Sequence, residues 1–447
     1  MNKPLTSNDF AAWFAIGCKP RKQWRVGTEH EKIGFCMETH KPIPYEGERG
    51  IRSVLERLAV DGWQLVCENG LPIALKNGMA SVTLEPGGQL ELSGAPLESI
   101  HATCMETGEH LKVLRTISDE LRIGFLGMGF QPKWERQDIP WMPKERYAVM
   151  RRYMPQVGQG GLDMMLRTAT VQANLDFESE ADMARKMRIS LCLQPLVTAL
   201  FAASPFEHGQ PSGYLSRRGS CWLDTDGART GIPACAFDDD FGFQAYTEWA
   251  LDAPMYFVMR EERYIDCSGS SFRDFMHGKL PQLIGEYPSM DDWERHISTL
   301  FPDVRLKQYL EMRGADAGPW PYICALPALW KGLLYDPEAE QAAWEMIKDW
   351  THAEVSALRL AAPTSAMHTP FRHGDILPLC KQMVEIARTG LERLNICDEE
   401  GKNETHFLIP LIYAVESGKT QADRWLAAWH NEWQGDISPI FSEAMHP

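Results

Sequence analysis

The sequence has no run long and apolar enough to cross a bilayer. Its most hydrophobic stretch, Leu191 to Ala203, is short and interrupted by Gln194 and Pro195, so no membrane partner is expected. The first residues, MNKPLTSNDFAAWFAIGCKP, lack the apolar centre and small-residue cleavage site of a secretory leader. A cytoplasmic protein is expected on that ground. Positive charge is scarce too: 45 Lys and Arg stand against 61 Asp and Glu, a net charge of -16. Such a surface repels phosphate backbones and argues against nucleic acid as a partner. The 11 cysteines form no CxxC pair and no Cys/His cluster with zinc spacing. Free thiols in a reducing compartment are the default for them. Repeats and Gly/Ser-rich or charged linkers are absent, which leaves one compact unit expected over residues 1–447, with 336–447 mostly helical.

What is present is a set of strands with an unusual polar face. Helical periodicity marks Arg52–Leu58, Leu97–Leu121 (with Pro96 in the first turn), Ala181–Ala203 and most of Glu338–Trp433. Elsewhere the pattern has a period of two, so that alternate residues share a face. Glu29 and Glu31 share one face, as do Gln89, Glu91 and Ser93, and Thr170, Gln172, Asn174 and Asp176. The segment from Arg305 to Arg313 reads as one further strand, with Arg305, Lys307, Tyr309, Glu311 and Arg313 on one side. Solvated faces of half-buried strands would alternate in this way. Recurrent Glu on several strands also fits carboxylates that converge, and converging carboxylates repel unless a cation sits among them. A hard divalent ion bound by oxygens is the simplest neutraliser. From the pattern alone both readings stand.

Four segments go beyond pattern: Gly27-Thr-Glu-His-Glu-Lys-Ile-Gly-Phe35, Leu84-Glu-Pro-Gly-Gly-Gln-Leu-Glu-Leu-Ser-Gly-Ala-Pro96, Arg167-Thr-Ala-Thr-Val-Gln-Ala-Asn-Leu-Asp176 and Tyr309-Leu-Glu-Met-Arg-Gly-Ala-Asp316. Together they closely resemble the plant and proteobacterial type of glutamate–cysteine ligase. The match continues through Trp222–Asp226, Arg229–Gly231, Thr369–Arg372 and Gly435, in order along nearly the whole chain. The resemblance implies an α+β, glutamine-synthetase-like fold, in which a curved antiparallel sheet forms an active-site cradle surrounded by helices. It implies ATP-dependent joining of the glutamate γ-carboxylate to the cysteine amine through γ-glutamyl phosphate, the first step of glutathione biosynthesis. The partners would be glutamate, cysteine and ATP, with more than one Mg²⁺, in a monomer or weak homodimer.

Carried over residue by residue, the resemblance makes Glu29, Glu31, Glu91 and Glu311 the Mg²⁺ ligands. Arg313 would meet the transferred phosphate, and Arg218 a substrate carboxylate or phosphate, with Arg217 as its alternate. Gln172, Asn174, Arg229 and Glu85 would bind substrate or nucleotide. His30 and Lys32 point to the opposite face and read as structural. A redox-sensitive disulfide of the plant enzymes aligns with Cys104 and Cys324, whereas the second aligns with Cys267 and Gln282 and cannot form. Two other readings use the same residues: a γ-glutamyl ligase with a different acceptor amine, and a non-catalytic homologue that binds glutamate or nucleotide.

Overall fold

The computed structural model describes residues 4–60 and 62–446. Its centre is a nine-stranded sheet. The strands are β1 (Val26–Cys36), β2 (Gln64–Glu68), β3 (Leu71–Asn77), β4 (Ala80–Leu84), β5 (Leu90–Ser93), β6 (Ile123–Leu126), β7 (Thr170–Leu175), β8 (Val304–Leu306) and β9 (Leu310–Asp316). Their order is β8-β9-β7-β1-β5-β4-β3-β2, and every pairing is antiparallel. Strand β1 is the hub. Its first half lies between β5 and β7, and its last residues, Ile33–Cys36, pair with β6.

The sheet is two-faced because its strands alternate. Val171, Ala173 and Leu175 of β7, with Leu310, Met312 and Ala315 of β9, enter the main apolar core. The same core holds helix α2 (Glu180–Leu200), whose second half, from Ile189 on, is apolar and buried nearly all round, and helix α3 (Trp320–Leu334). It extends without a break to Leu391, Leu411 and Ala422 in the C-terminal helices.

Two expectations are corrected by the backbone. Helix α1 spans Ile100–Leu121 and starts after Ser99, whose hydroxyl accepts from the Ala102 amide. Leu97 instead exchanges both backbone hydrogen bonds with Val26, so Pro96 lies outside the helix. The Arg305–Arg313 segment is not one strand. It folds back as a hairpin at residues 307–309, closed by the Lys307 amide donating to the Tyr309 carbonyl, and Arg305 faces Glu311. Cys104 of α1 and Cys324 of α3 form a disulfide, with Cα atoms 5.5 Å apart. Cys267 is a free, buried thiol.

Candidate active site

Residues directly opposite in antiparallel strands share a face, so the register reads out the wall of the site. One row runs Thr83, Glu91, Glu31. The next runs Ser81, Ser93, Glu29, Gln172. A third runs Asn174, Glu311, Arg305. Arg313 joins them through a β-bulge between Met312 and Ala315, a device that re-aims one side chain. Glu29 and Arg313, 284 positions apart in the sequence, thus meet on one surface.

The four glutamates are not electrostatically alike. Burial, then Glu311 and Glu91, push the Glu29 carboxyl up to about 7. Burial, then Glu85 and Glu91, push Glu31 well above the usual carboxylate range, and Glu91 is raised by burial and Glu85. Their contacts are neutral donors: Asn174 Nδ2 to Glu29 at 2.7 Å, the Thr170 amide to Glu31 at 3.1 Å, and the Thr83 and Ser93 hydroxyls to Glu91 at 2.9 and 3.2 Å. Glu311 is the opposite case. Burial alone would raise it, yet Arg305, Lys307 and Arg313 together hold it well below the usual range. Arg305 grips both its oxygens at 2.7 and 2.8 Å, Arg313 reaches it at 2.7 Å, and Lys307 at 3.3 Å. The structure therefore places Glu311, expected as a metal ligand, as the anchor of three cations, its oxygens already engaged.

The wall opens into a cavity of about 120 Å³ whose lining includes Glu31, Glu85, Gln172, Arg218, Arg313 and Arg146. Arg218 is buried, and its Nη2 donates to the Arg313 carbonyl at 2.9 Å while its Nε has no partner. Arg217 turns away, paired with Glu207 at 2.7 Å, so Arg218 is the arginine that faces the site. Glu85 begins a turn closed by the Gly88 amide donating to its carbonyl, and lines the cavity beside Glu31. Arg313 Nη1 is shared between Glu311 and Gln172 Oε1, the latter at 2.8 Å. Arg229, expected at a nucleotide phosphate, is elsewhere. It is fully buried against Asp226 at 2.6 Å and lies over the Tyr256 ring, which makes it a structural ion pair. Arg372 likewise meets Glu354 outside the cavity.

Two groups carry no role in the sequence reading. Arg146 lines the cavity with its Nε unpartnered; nothing in its helix, Glu145–Val157, sets it apart before tertiary folding. Lys307 was visible in the alternating pattern, but its approach to Glu311 depends on the hairpin. Among the described residues no three His, Cys, Asp or Glu side chains close into a ready cation cage.

A solved structure of similar fold is a glutamate–cysteine ligase from Francisella tularensis in complex with AMP. It aligns at a TM-score of 0.57 over 94% of this chain and 88% of that one, with 13% identity. An antiparallel sheet that turns a wall of carboxylates, amides and guanidiniums into a cavity, ringed by helices, gives the protein its fold class, α+β and glutamine-synthetase-like. Within that class the chain belongs to glutamate–cysteine ligase family 2, whose family model matches residues 25–443. It is 52% identical over 447 residues to the chloroplastic glutamate–cysteine ligase B of Oryza sativa subsp. japonica, covering 100% of this chain and 88% of that protein. The chloroplastic glutamate–cysteine ligase of Arabidopsis thaliana is 51% identical over 445 residues, covering 99% of this chain and 84% of its own length.

These relatives also correct the cytoplasmic expectation. Both are named chloroplastic, so a cytoplasmic location is not supported. The cytoplasmic expectation rested on the composition of the first residues, which carries no information about plastids.

Proposed function

We propose that the chain joins the γ-carboxylate of glutamate to the amine of cysteine at the expense of ATP, and that the cavity beside Glu31 is where the bond forms. The observation that carries this reading is the juxtaposition of under-neutralised carboxylates with guanidiniums whose donors are unspent. Arg218 and Arg146 each keep a buried Nε without a partner, and a guanidinium grips a carboxylate with two parallel bonds. They hold the carboxylates of the amino-acid substrates. Arg313, fixed by Glu311 and Gln172, presents its remaining N–H groups toward the wall, where charge develops on the transferred phosphoryl group.

The donor set suits magnesium. Among the described residues, Glu29, Glu31 and Glu91 have no cationic partner in contact, and the buried Asn174 Oδ1 has no hydrogen-bond partner. Mg²⁺ uses one or two carboxylates, water and substrate phosphates rather than an all-protein cage, which agrees with the open arrangement. Glu29 with Asn174, and Glu31 with Glu91, provide for more than one ion. Held by these residues, such an ion would supply positive charge to offset that of the phosphate during transfer.

In the first step a γ-carboxylate oxygen of glutamate attacks the γ-phosphorus of ATP and ADP leaves. The cysteine nitrogen then attacks the acyl carbon of γ-glutamyl phosphate, the C–O bond breaks, phosphate departs and the nitrogen loses a proton. The assembly proposed for this reaction is a monomer or weak homodimer.

The test is ADP release from purified protein with glutamate, MgATP and a series of amines: cysteine, 2-aminobutyrate, alanine and glycine. Strong acceleration by cysteine is expected. Strong acceleration by another amine beside a weak response to cysteine would identify a different acceptor. Hydroxylamine in place of the amine should yield γ-glutamyl hydroxamate; no product and no ADP would mark a binding protein instead.

A further inference from the structure

Strand β9 ends in a carboxylate that the reaction does not use. Asp316 is buried, and no cation lies at ion-pair distance from it among the described residues. Burying such a charge is costly unless hydrogen bonds satisfy it. Asp316 is satisfied. Its Oδ2 accepts from the Ala203 amide at 2.9 Å and the Ser204 hydroxyl at 2.6 Å, and its Oδ1 accepts from the Ser216 hydroxyl at 2.7 Å. The packing is close: a Cβ on Gly129 would stand 2.3 Å from the Asp316 carboxyl carbon.

Both hydroxyls lead to the same place. Ser204 Oγ accepts the backbone N–H of Arg218 at 3.2 Å, and Ser216 Oγ accepts that of Gly219 at 2.9 Å, capping the short helix Arg217–Cys221. A serine hydroxyl has one proton. Because an ionised carboxylate only accepts, it claims that proton from each serine and leaves each oxygen free to accept an amide of the helix. The carboxylate thereby sets the direction of every hydrogen bond in the chain of contacts. The far end of the Arg218 side chain is then tied back to β9 through the Arg313 carbonyl.

We infer that Asp316 is a positioning residue: through Ser204 and Ser216 it fixes the backbone of Arg218, so that the guanidinium arrives in the cavity already aimed at a substrate carboxylate. This rests on the role proposed above for Arg218. Asparagine at 316 has the same shape but must turn an NH₂ toward one set of its donors. The Ala203 amide pins the oxygen on its own side, so the NH₂ meets Ser216, whose hydroxyl proton loses its acceptor and must turn toward the amides of the helix it caps.

The experiment is steady-state kinetics of Asp316→Asn beside Ser204→Ala, each also made with Arg218→Lys. A small misplacement of a substrate-binding group is felt steeply. The KM for glutamate is expected to rise about tenfold or more in Asp316→Asn, and in the same direction but less in Ser204→Ala. The KM for ATP should stay within about twofold, and in the Arg218→Lys background the further rise should vanish, because the two changes act through one group. An unchanged glutamate KM, an equal rise for both substrates, or full additivity with Arg218→Lys would overturn the inference. A crystal structure of Asp316→Asn supplies a reading independent of the substrate. A displaced Arg218 guanidinium supports the clamp, and one still bonded to the Arg313 carbonyl overturns it. Failure of the wild-type protein to release ADP with glutamate would instead sink the proposed function while leaving that structural outcome to decide on Asp316.

Discussion

Glu29 and Glu311 lie on one wall, yet one is pushed toward neutrality and the other is firmly ionised, and the difference lies in their neighbours. Glu311 is surrounded by Arg305, Lys307 and Arg313. Its replacement by Gln would leave buried cations without their counter-charge, a change that costs roughly 3–5 kcal/mol when a buried pair is broken. Glu311→Gln is therefore expected to lower both Tm and kcat, and extra Mg²⁺ should not restore activity. Recovery at high Mg²⁺ would return this residue to the metal. Arg313→Lys keeps the charge but loses the planar guanidinium, in which Nη1 is held by Gln172 and Glu311 while the other N–H groups are left for substrate, so kcat should fall on the order of 100-fold; full activity would show that Arg313 does not meet the transferred group. A pH effect belongs to this scale as well. Burial pushes His296 down to about 4, with its Nε2 bonded to the Ala250 carbonyl at 2.8 Å. A depressed folded-state value means that its contribution is complete above about 6.5, the ordinary value. It is then lost as pH falls toward 4, by at most about 3 kcal/mol. In urea titrations at several pH values, His296→Gln should lose less stability than wild type across that window; equal losses would show that His296 does not titrate there. Residue types and their facing were legible in sequence for Glu29, Glu31 and Glu91, because a period of two needs only local information. The state of Glu311 was not, because its partners are set by a hairpin.

At the scale of elements, alternation was readable and its interruptions were not. Strand β7 alternates cleanly and lies where the sequence put it, within two residues at its end. The Arg305–Arg313 segment alternates equally well, yet Lys307, Gln308 and Tyr309 form a reversal, and period two cannot distinguish a strand from two strands joined at a tight turn. The bulge at Arg313 and Gly314 was equally hidden. It is built from behind: the Thr198 hydroxyl of α2 donates to the Gly314 carbonyl at 3.0 Å, and a Cβ on Gly314 would come within 2.3 Å of the buried Gln194 amide. Gly314→Ala should therefore force the bulge toward the cavity, at a cost of about 1–3 kcal/mol for overpacking, and reduce kcat through Arg313. Gln194→Ala removes the obstructing side chain, so the double variant should regain activity relative to Gly314→Ala. No such recovery would mean that the glycine is needed for its backbone rather than for its lack of a side chain.

At the scale of the whole molecule, the sheet order decides everything and is the least local property of all. Strand β1 is flanked by β5 and β7, which follow it in sequence by about sixty and about 140 residues. No composition or periodicity could make them its neighbours, and only the resemblance to a known family carried that expectation. The helices beyond residue 336 raise a related question, since they could fold as a separate unit. The packing argues otherwise: Val384, Leu391, Leu411 and Ala414 share one continuous core with Val171 and Leu175 from the back of the site-bearing sheet. Separating the two parts would expose apolar surface on both, at about 25 cal/mol per Å². A single cooperative transition is therefore expected in urea. Tryptophan fluorescence, reporting from indoles spread across the chain, and far-ultraviolet circular dichroism, dominated by the helices, should give coincident midpoints. Two resolved transitions, with helix signal lost while the sheet-side tryptophans remain buried, would show that the helical portion is an independent domain and that the site does not depend on it for stability.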